Sequence, residues 1–251
     1  MISRLIFRTY LTTRSGSGLS ERIHFQDDSG KAISPWHDIP VRPTKYSSFA
    51  NAVFEISKHN IKKLEMATKE KLNPIKPDTR KNKKTGETEI RYYGRFPLFN
   101  YGFIPQTWEN SFEGDMKYSK YHGDGDPIDV VEIGSKAIEP GSVHEVKILG
   151  AMCLIDQGEA DWKIICVSKE DEICWNTNSF EDINRSFPGK LDAIRFWFEK
   201  IKTFDGKPEN FFEGLIETPE VAVEIIEAGH KHWERLRAGE IKEASYWLGD
   251  K

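Results

Sequence analysis

The spacing of apolar residues changes along this chain, and that change constrains the fold more than any other feature. Short apolar or alternating runs fill the first two thirds, and helical spacing replaces them in the last third. Ile23-His24-Phe25 opens a strand that a turn at Asp27-Asp28-Ser29-Gly30 closes. Ala52 to Ile56 and Lys63 to Ala67 read as strands joined by a polar turn at His59-Asn60. Glu89 to Tyr93, Ile128 to Val131, Val143 to Ile148, Met152 to Ile155 and Trp162 to Val167 are further strands. The basic stretch Arg80-Lys81-Asn82-Lys83-Lys84 reads as a solvated hairpin loop. Later, Leu191, Ile194, Phe198 and Ile201 follow at steps of 3, 4 and 3 and share one helix face. A second helix starts with Thr218 as N-cap and Pro219 at its first position, with Glu220 near the positive end of the dipole. Its apolar side repeats at Val221, Ile225, Gly229 and Trp233, and Gly239 stops it. Strands early and helices late predict an α+β fold: a barrel or sandwich flanked by helices, mainly C-terminal.

Composition removes other classes. With 38% hydrophobic and 12% aromatic residues in 251, the chain buries a core and is not mostly disordered. No run approaches the roughly 18 apolar residues of a membrane span, so no membrane is expected. A net charge of −4 offers no general field for nucleic acid, and none is expected as a partner. Cys153, Cys166 and Cys174 form no C-x-x-C pair and read as buried small hydrophobes of a reducing compartment.

Met1 to Gly18 carries Arg4, Arg8 and Arg14, and no acidic residue precedes Glu21. This suits either a mitochondrial or plastid transit segment, or a flexible or edge-strand arm of a cytoplasmic protein. Without repeats or a linker, the expected organisation is an arm or transit segment over 1–20, a single domain over 21–239 and a tail over 240–251.

The charge is locally uneven. Between Glu109 and Glu132 seven acidic residues face only Lys117 and Lys120. The tightest group is Gly123-Asp124-Gly125-Asp126-Pro127-Ile128-Asp129. On extended backbone Asp124 and Asp126 point the same way, and a turn at Pro127 brings Asp129 to join them. Carboxylates this close repel unless cations bridge them, and oxygen-only ligands suit Mg²⁺ or Mn²⁺ rather than zinc. The plain alternatives are a solvated acidic loop or a pair of turn-forming aspartates. A calcium EF-hand is excluded, because counting from Asp124 its required Gly and Glu positions hold Asp129 and Ser135. Further on, Asp156 and Asp161 flank a short turn, with Lys163 on the same side as Asp161; Glu55, Lys63 and Glu65 sit on neighbouring strands, where an ion pair between Glu55 and Lys63 is the simple expectation.

Taken together, these segments resemble the soluble inorganic pyrophosphatases of family I in their longer eukaryotic form. The resemblance is carried by Ser34-Pro35-Trp36-His37-Asp38-Ile39-Pro40, Lys63-Leu64-Glu65, Leu72-Asn73-Pro74-Ile75, Asn100-Tyr101-Gly102 and Pro105-Gln106-Thr107-Trp108-Glu109. It continues through the Asp124-Gly125-Asp126-Pro127-Ile128-Asp129 run, Gly158-Glu159-Ala160-Asp161-Trp162-Lys163 and Asp205-Gly206-Lys207-Pro208-Glu209-Asn210. It implies an OB-like five-stranded β-barrel core flanked by helices, several Mg²⁺ ions (Mn²⁺ as a substitute), and hydrolysis of pyrophosphate to two orthophosphates by a metal-activated water. It further implies Asp124, Asp129 and Asp161 at a first metal, Asp129 shared with a second, and Asp156 with Asp161 at a third. Glu65 matches a carboxylate for a fourth, Glu55 one that holds metal-bound water, and Asp126 the general base. Lys63, Arg91, Tyr101, Lys163 and Lys202 match groups that hold the two phosphates. A homodimer is implied as well.

The family usually has Tyr-Lys where this chain has Ile201-Lys202, so a phosphate-binding phenol is missing and weaker phosphate binding or altered product release is expected. Gly125 also stands where Asn is commoner. Two other readings remain: a non-catalytic pyrophosphatase-like structural or regulatory subunit, and a Mg²⁺-dependent phosphohydrolase of another substrate. The first predicts loss of the base or of a shared ligand, yet every carboxylate is present. Tyr246-Trp247-Leu248 lie outside the matched stretches, and either cap the barrel or meet a partner.

Overall fold

In a computed structural model describing residues 10–241 and 245–250, the alternating N-terminal runs build a small antiparallel sheet. Arg4 and Arg8 of the expected arm or transit segment lie outside the described residues. Residues from its second half form strand β1 (Leu11–Ser15), which pairs along the edge of β2 (Arg22–Gln26). β2 buries Ile23 and Phe25 on one face, pairs with β3 (Ala32–Ile33), and later receives β6 of the same sheet.

Next come β4 (Ala50–Ile56), β5 (Leu64–Met66), β6 (Ile75–Pro77) and the exposed hairpin of β7 (Thr79–Lys81) with β8 (Thr88–Ile90). That hairpin carries the basic stretch, as expected. The strand predicted over Glu89 to Tyr93 ends at Ile90, and Tyr92 makes only a single bridge to Lys62. β9 (Asn100–Phe103), β10 (Asp129–Glu132), β11 (Val143–Asp156) and β12 (Glu159–Ser168) follow. The order β12-β10-β9-β4-β11 closes through β11–β12 pairing into a five-stranded barrel, which removes free edges from this part of the sheet. β10 and β12 run parallel, with Asp129 opposite Lys163.

Val143 to Ile148 and Met152 to Ile155 are not two strands but one, β11, continuous through a bulge at Gly150. A Cβ at Gly150 would stand 2.6 Å from the carbonyl of Glu217. The bulge lets β11 pair with β12 and also with β13 (Phe211–Glu217), a strand whose weak apolar pattern hid it in the sequence.

Helix α1 (Phe180–Ser186), capped by Ser179, leads into α2 (Lys190–Lys200), and α3 (Pro219–Arg237) starts at Thr218 as its cap and first proline predict. Strand alternation divides the core. Phe54, Val130, Cys153 and Ile164 pack with Ala222, Ile225 and Ile226 of α3; Val131, Leu154 and Ile165 pack with Leu191, Ile194 and Phe198 of α2; and Ile23, Phe25, Trp36 and Trp108 pack under the small sheet. All three cysteines are buried and free. Among the described residues no helix is long and apolar enough to cross a membrane. The tail folds back on the barrel, with Tyr246 and Leu248 against the third core region.

Candidate active site

The barrel mouth gathers charge because several strands end there. A cavity of about 360 Å³ is lined by all twelve residues singled out from the sequence. β10 begins with Asp129, β12 supplies Asp161 and Lys163, β11 ends at Asp156, and β4 and β5 contribute Glu55 and Glu65.

Lys163 is almost completely buried, 1% exposed. Its ammonium donates to Asp129 at 2.5 Å, to Asp161, and to the Tyr101 hydroxyl at 3.1 Å. Burial works against that charge, but the two carboxylates hold its pKa well above the usual lysine value. Tyr101 in turn donates to Asp129, and burial keeps its phenol protonated.

The expectation that Asp124 and Asp126 lie on extended backbone is corrected. They flank a turn in which the Asp126 N–H donates to Asp124 Oδ1 at 2.9 Å, with Gly125 at φ +87°. The turn is tied to Glu109, whose carbonyl accepts from Gly125 at 3.0 Å and whose N–H donates to the Asp126 carbonyl at 2.9 Å.

Nor do Glu55 and Lys63 form an ion pair. Glu55 accepts from the Met66 N–H at 2.6 Å, while Lys63 reaches Asp78 at 2.7 Å and Glu65 at 3.1 Å. Arg91 grips Asp205 at 2.8 Å and Asp78 at 3.3 Å, and Lys202 pairs with Asp156. Ile201, 8% exposed, belongs to the α2 core and forms part of the cavity's apolar wall, as its helical spacing suggests.

Three acidic residues matter that sequence reasoning did not assign: Glu109, Asp78 and Asp205. Glu109, Asp124 and Asp161 each offer an oxygen within 4.8 Å of the others. Glu109 Oε1 accepts from the Trp162 N–H at 2.8 Å, while its buried Oε2 has no hydrogen-bond partner among the described residues. Its sequence signals are its place at the edge of the acidic window and at the end of the Pro105-Gln106-Thr107-Trp108-Glu109 stretch. Asp78 anchors Lys63 and Arg91, and Asp205 anchors Arg91 from a distant segment; Asp205 opens one of the resemblance stretches, but neither had been given a role.

The donor set fits divalent cations. Burial first, then neighbouring negative charge, raises Glu55, Asp124 and Glu109 well above the carboxylate range, Asp126 to about 6 and Asp161 to about 7. Buried Asp156 Oδ1 is also unpartnered among the described residues. Crowded oxygens of this kind are stabilised by hard cations that prefer oxygen ligands.

A family described as inorganic pyrophosphatase matches residues 52–234. The chain is 42% identical over 221 residues to soluble inorganic pyrophosphatase 6, chloroplastic, of Arabidopsis thaliana, covering 87% of this chain and 71% of that protein. It is 41% identical over 225 residues to an inorganic pyrophosphatase of Homo sapiens, covering 87% and 75%. Among solved structures, type I inorganic pyrophosphatase from Toxoplasma gondii superposes with a TM-score of 0.84 at 34% identity, over 91% of this chain and all (100%) of that one. An N-terminally truncated vacuolar soluble pyrophosphatase of Trypanosoma cruzi, in complex with PPi, gives 0.82 at 36% identity, over 92% of each chain.

Proposed function

The chain belongs to the inorganic pyrophosphatase family and hydrolyses pyrophosphate, and from that premise we propose that it uses several Mg²⁺ ions, with Asp126 as general base for direct attack by water. The observation that carries this reading is the convergence of the acidic turn, Asp156, Asp161 and four basic side chains on one cavity. Bound divalent cations supply Lewis-acid polarisation of phosphoryl oxygens and lower the pKa of water. Asp124, Asp129 and Asp161 would hold the first ion, Asp129 also the second, Asp156 and Asp161 a third, and Glu65 a fourth. Mn²⁺ meets the same oxygen-donor requirement.

The protein's own groups divide the remaining work. Asp126 lies one residue beyond the Gly125 bend, in the same cavity as the other carboxylates, and accepts the proton of the attacking water. Its pKa near 6 leaves it ionised and still basic at neutral pH. Glu55, fixed by the Met66 N–H, would hold metal-bound water in the same cavity. Lys63, Arg91, Lys163 and Lys202 take up the charge of the two phosphates, and Tyr101 donates from between Asp129 and Lys163. Arg91 acts as a planar fork and the lysines as point charges, so they are not interchangeable.

The test compares phosphate release from pyrophosphate, nucleotides and sugar phosphates, each with and without Mg²⁺. The reading expects strong preference for pyrophosphate and dependence on the ion; equal rates on all substrates, or rates indifferent to Mg²⁺, would overturn it.

A cytoplasmic homodimer of one domain over residues 21–239 completes the proposal. Free buried cysteines suit a reducing compartment. An exposed apolar patch supports the dimer: Arg95 stacks over Phe196 at 5.0 Å and Phe204 at 5.4 Å, beside exposed Phe96 and Leu98. Sedimentation of the parent and of Phe196→Ser checks it, with a monomeric parent as the contrary result.

A further inference from the structure

The C-terminal tail touches the turn that carries the candidate base. We propose that Tyr246 is a positioning residue for Asp126, fixing the Gly125 carbonyl and with it the Asp124–Asp126 turn, so that the tail is part of the working site. This rests on the pyrophosphatase reading above, which assigns Asp126 its role.

Tyr246 donates its hydroxyl to the Gly125 carbonyl at 2.6 Å, and the Trp108 indole donates to the same oxygen at 2.9 Å. Because Glu109 holds the Gly125 N–H and the Asp126 carbonyl, the peptide between residues 125 and 126 is pinned from both sides. The direction of the Asp126 side chain follows from that peptide.

The Tyr246 ring is itself held. It meets Trp36 edge-on at 5.6 Å and Trp108 at 6.4 Å. One residue later, the Trp247 N–H donates to the Thr68 carbonyl at 2.9 Å, and the Trp247 carbonyl meets His37 Nε2 at 3.0 Å. Thr68 lines the active cavity and lies three residues beyond Glu65. Two adjacent tail residues therefore brace the Glu65 segment and the Asp126 turn together.

The turn is cut to fit this hydroxyl. A Cβ at position 125 would lie 2.7 Å from Tyr246 Oη, and nothing else would come nearer than 3.8 Å. Glycine there serves the φ of +87° and also leaves room for the tail. The tail lies beyond residue 234, where the family match ends, so this brace is an addition to the matched region.

The experiment uses the full chain and Tyr246→Phe, Gly125→Asn and the double variant. Tyr246→Phe keeps the ring between its two tryptophans, and its thermal midpoint should match the parent. Amide exchange at residues 123–126 should quicken, and kcat for pyrophosphate should fall about tenfold with KM held within about twofold, since small misplacements of a reacting group cost rate rather than binding. Gly125→Asn should lose more, and removing the hydroxyl that its new side chain meets should restore part of the loss. Parental kcat in Tyr246→Phe, unchanged exchange at 123–126, or additive losses in the double variant would each overturn the proposal. A parent that releases no phosphate from pyrophosphate would instead defeat the pyrophosphatase reading, and the exchange measurement would still decide whether Tyr246 holds the turn.

Discussion

Trp233 donates its indole N–H to Nδ1 of His37 at 2.9 Å, while Nε2 of the same ring faces the Trp247 carbonyl at 3.0 Å. Only one arrangement satisfies both neighbours: Nδ1 bare and accepting, Nε2 protonated and donating. A second proton would sit on Nδ1 against a donor.

Burial above all pushes His37 down to about 3 from 6.5, with Arg237 adding to the effect. The unfolded chain therefore binds this proton more readily than the fold does, and stability rises with pH across the window. The contribution is complete above about pH 6.5 and is lost as pH falls toward 3, at up to about 1.4 kcal/mol per unit. Denaturant titrations at several pH values should show His37→Gln losing less stability than the parent between pH 6.5 and 4.5. Parallel losses in the two proteins would refute it.

Asp126→Asn should reduce pyrophosphate turnover by about 10²–10⁴-fold, the span expected for a lost general base. Calorimetric Mg²⁺ affinity should stay close to the parent's, because the first-ion carboxylates remain. Near-parental turnover would remove Asp126 from its role.

Lys163→Met leaves Asp129 and Asp161 facing each other without the ammonium that separates their charges. Removing one partner of such a buried set costs about 3–5 kcal/mol. A divalent cation supplies replacement positive charge, so added Mg²⁺ should raise the variant's thermal midpoint by more than the parent's. Equal increments would show that the carboxylates do not share a cation.

Gly102→Ala tests the barrel. A Cβ there would lie 2.0 Å from the Val53 carbonyl oxygen and 2.8 Å from Phe54 Cα, inside the β4–β9 pairing. Backbone cannot yield as a side chain can, so a loss above about 3 kcal/mol is expected, read as a lowered denaturation midpoint. A parental midpoint would mean the strands part more easily than this packing implies.

Much of the site could be read from the sequence because its ligating residues travel in short, dense groups. Asp124, Asp126 and Asp129 sit within six residues, and Asp161 with Lys163 within three. Their conformation could not be read: the Asx-type turn at Gly125 depends on backbone bonds to Glu109 that only folding brings together. Asp78 and Asp205 escaped for the same reason, since each acts through a partner brought close only by folding. In the fold, the helices were legible from caps and apolar spacing. The continuity of β11 was not, because Gly150 mimics a turn until Glu217 is placed against it.

Every basic group lining the cavity, among the described residues, already holds a carboxylate: Lys163 with Asp129 and Asp161, Lys202 with Asp156, Lys63 with Asp78 and Arg91 with Asp205. The pocket is thus self-quenched. An anion arriving alone must pry open an ion pair before it finds a free positive charge. A cation held by Asp129, Asp156 and Asp161 would take over the oxygens that now hold Lys163 and Lys202 and would leave those two ammoniums free for an anion. Orthophosphate titrated calorimetrically should accordingly bind far more weakly without Mg²⁺ than with it.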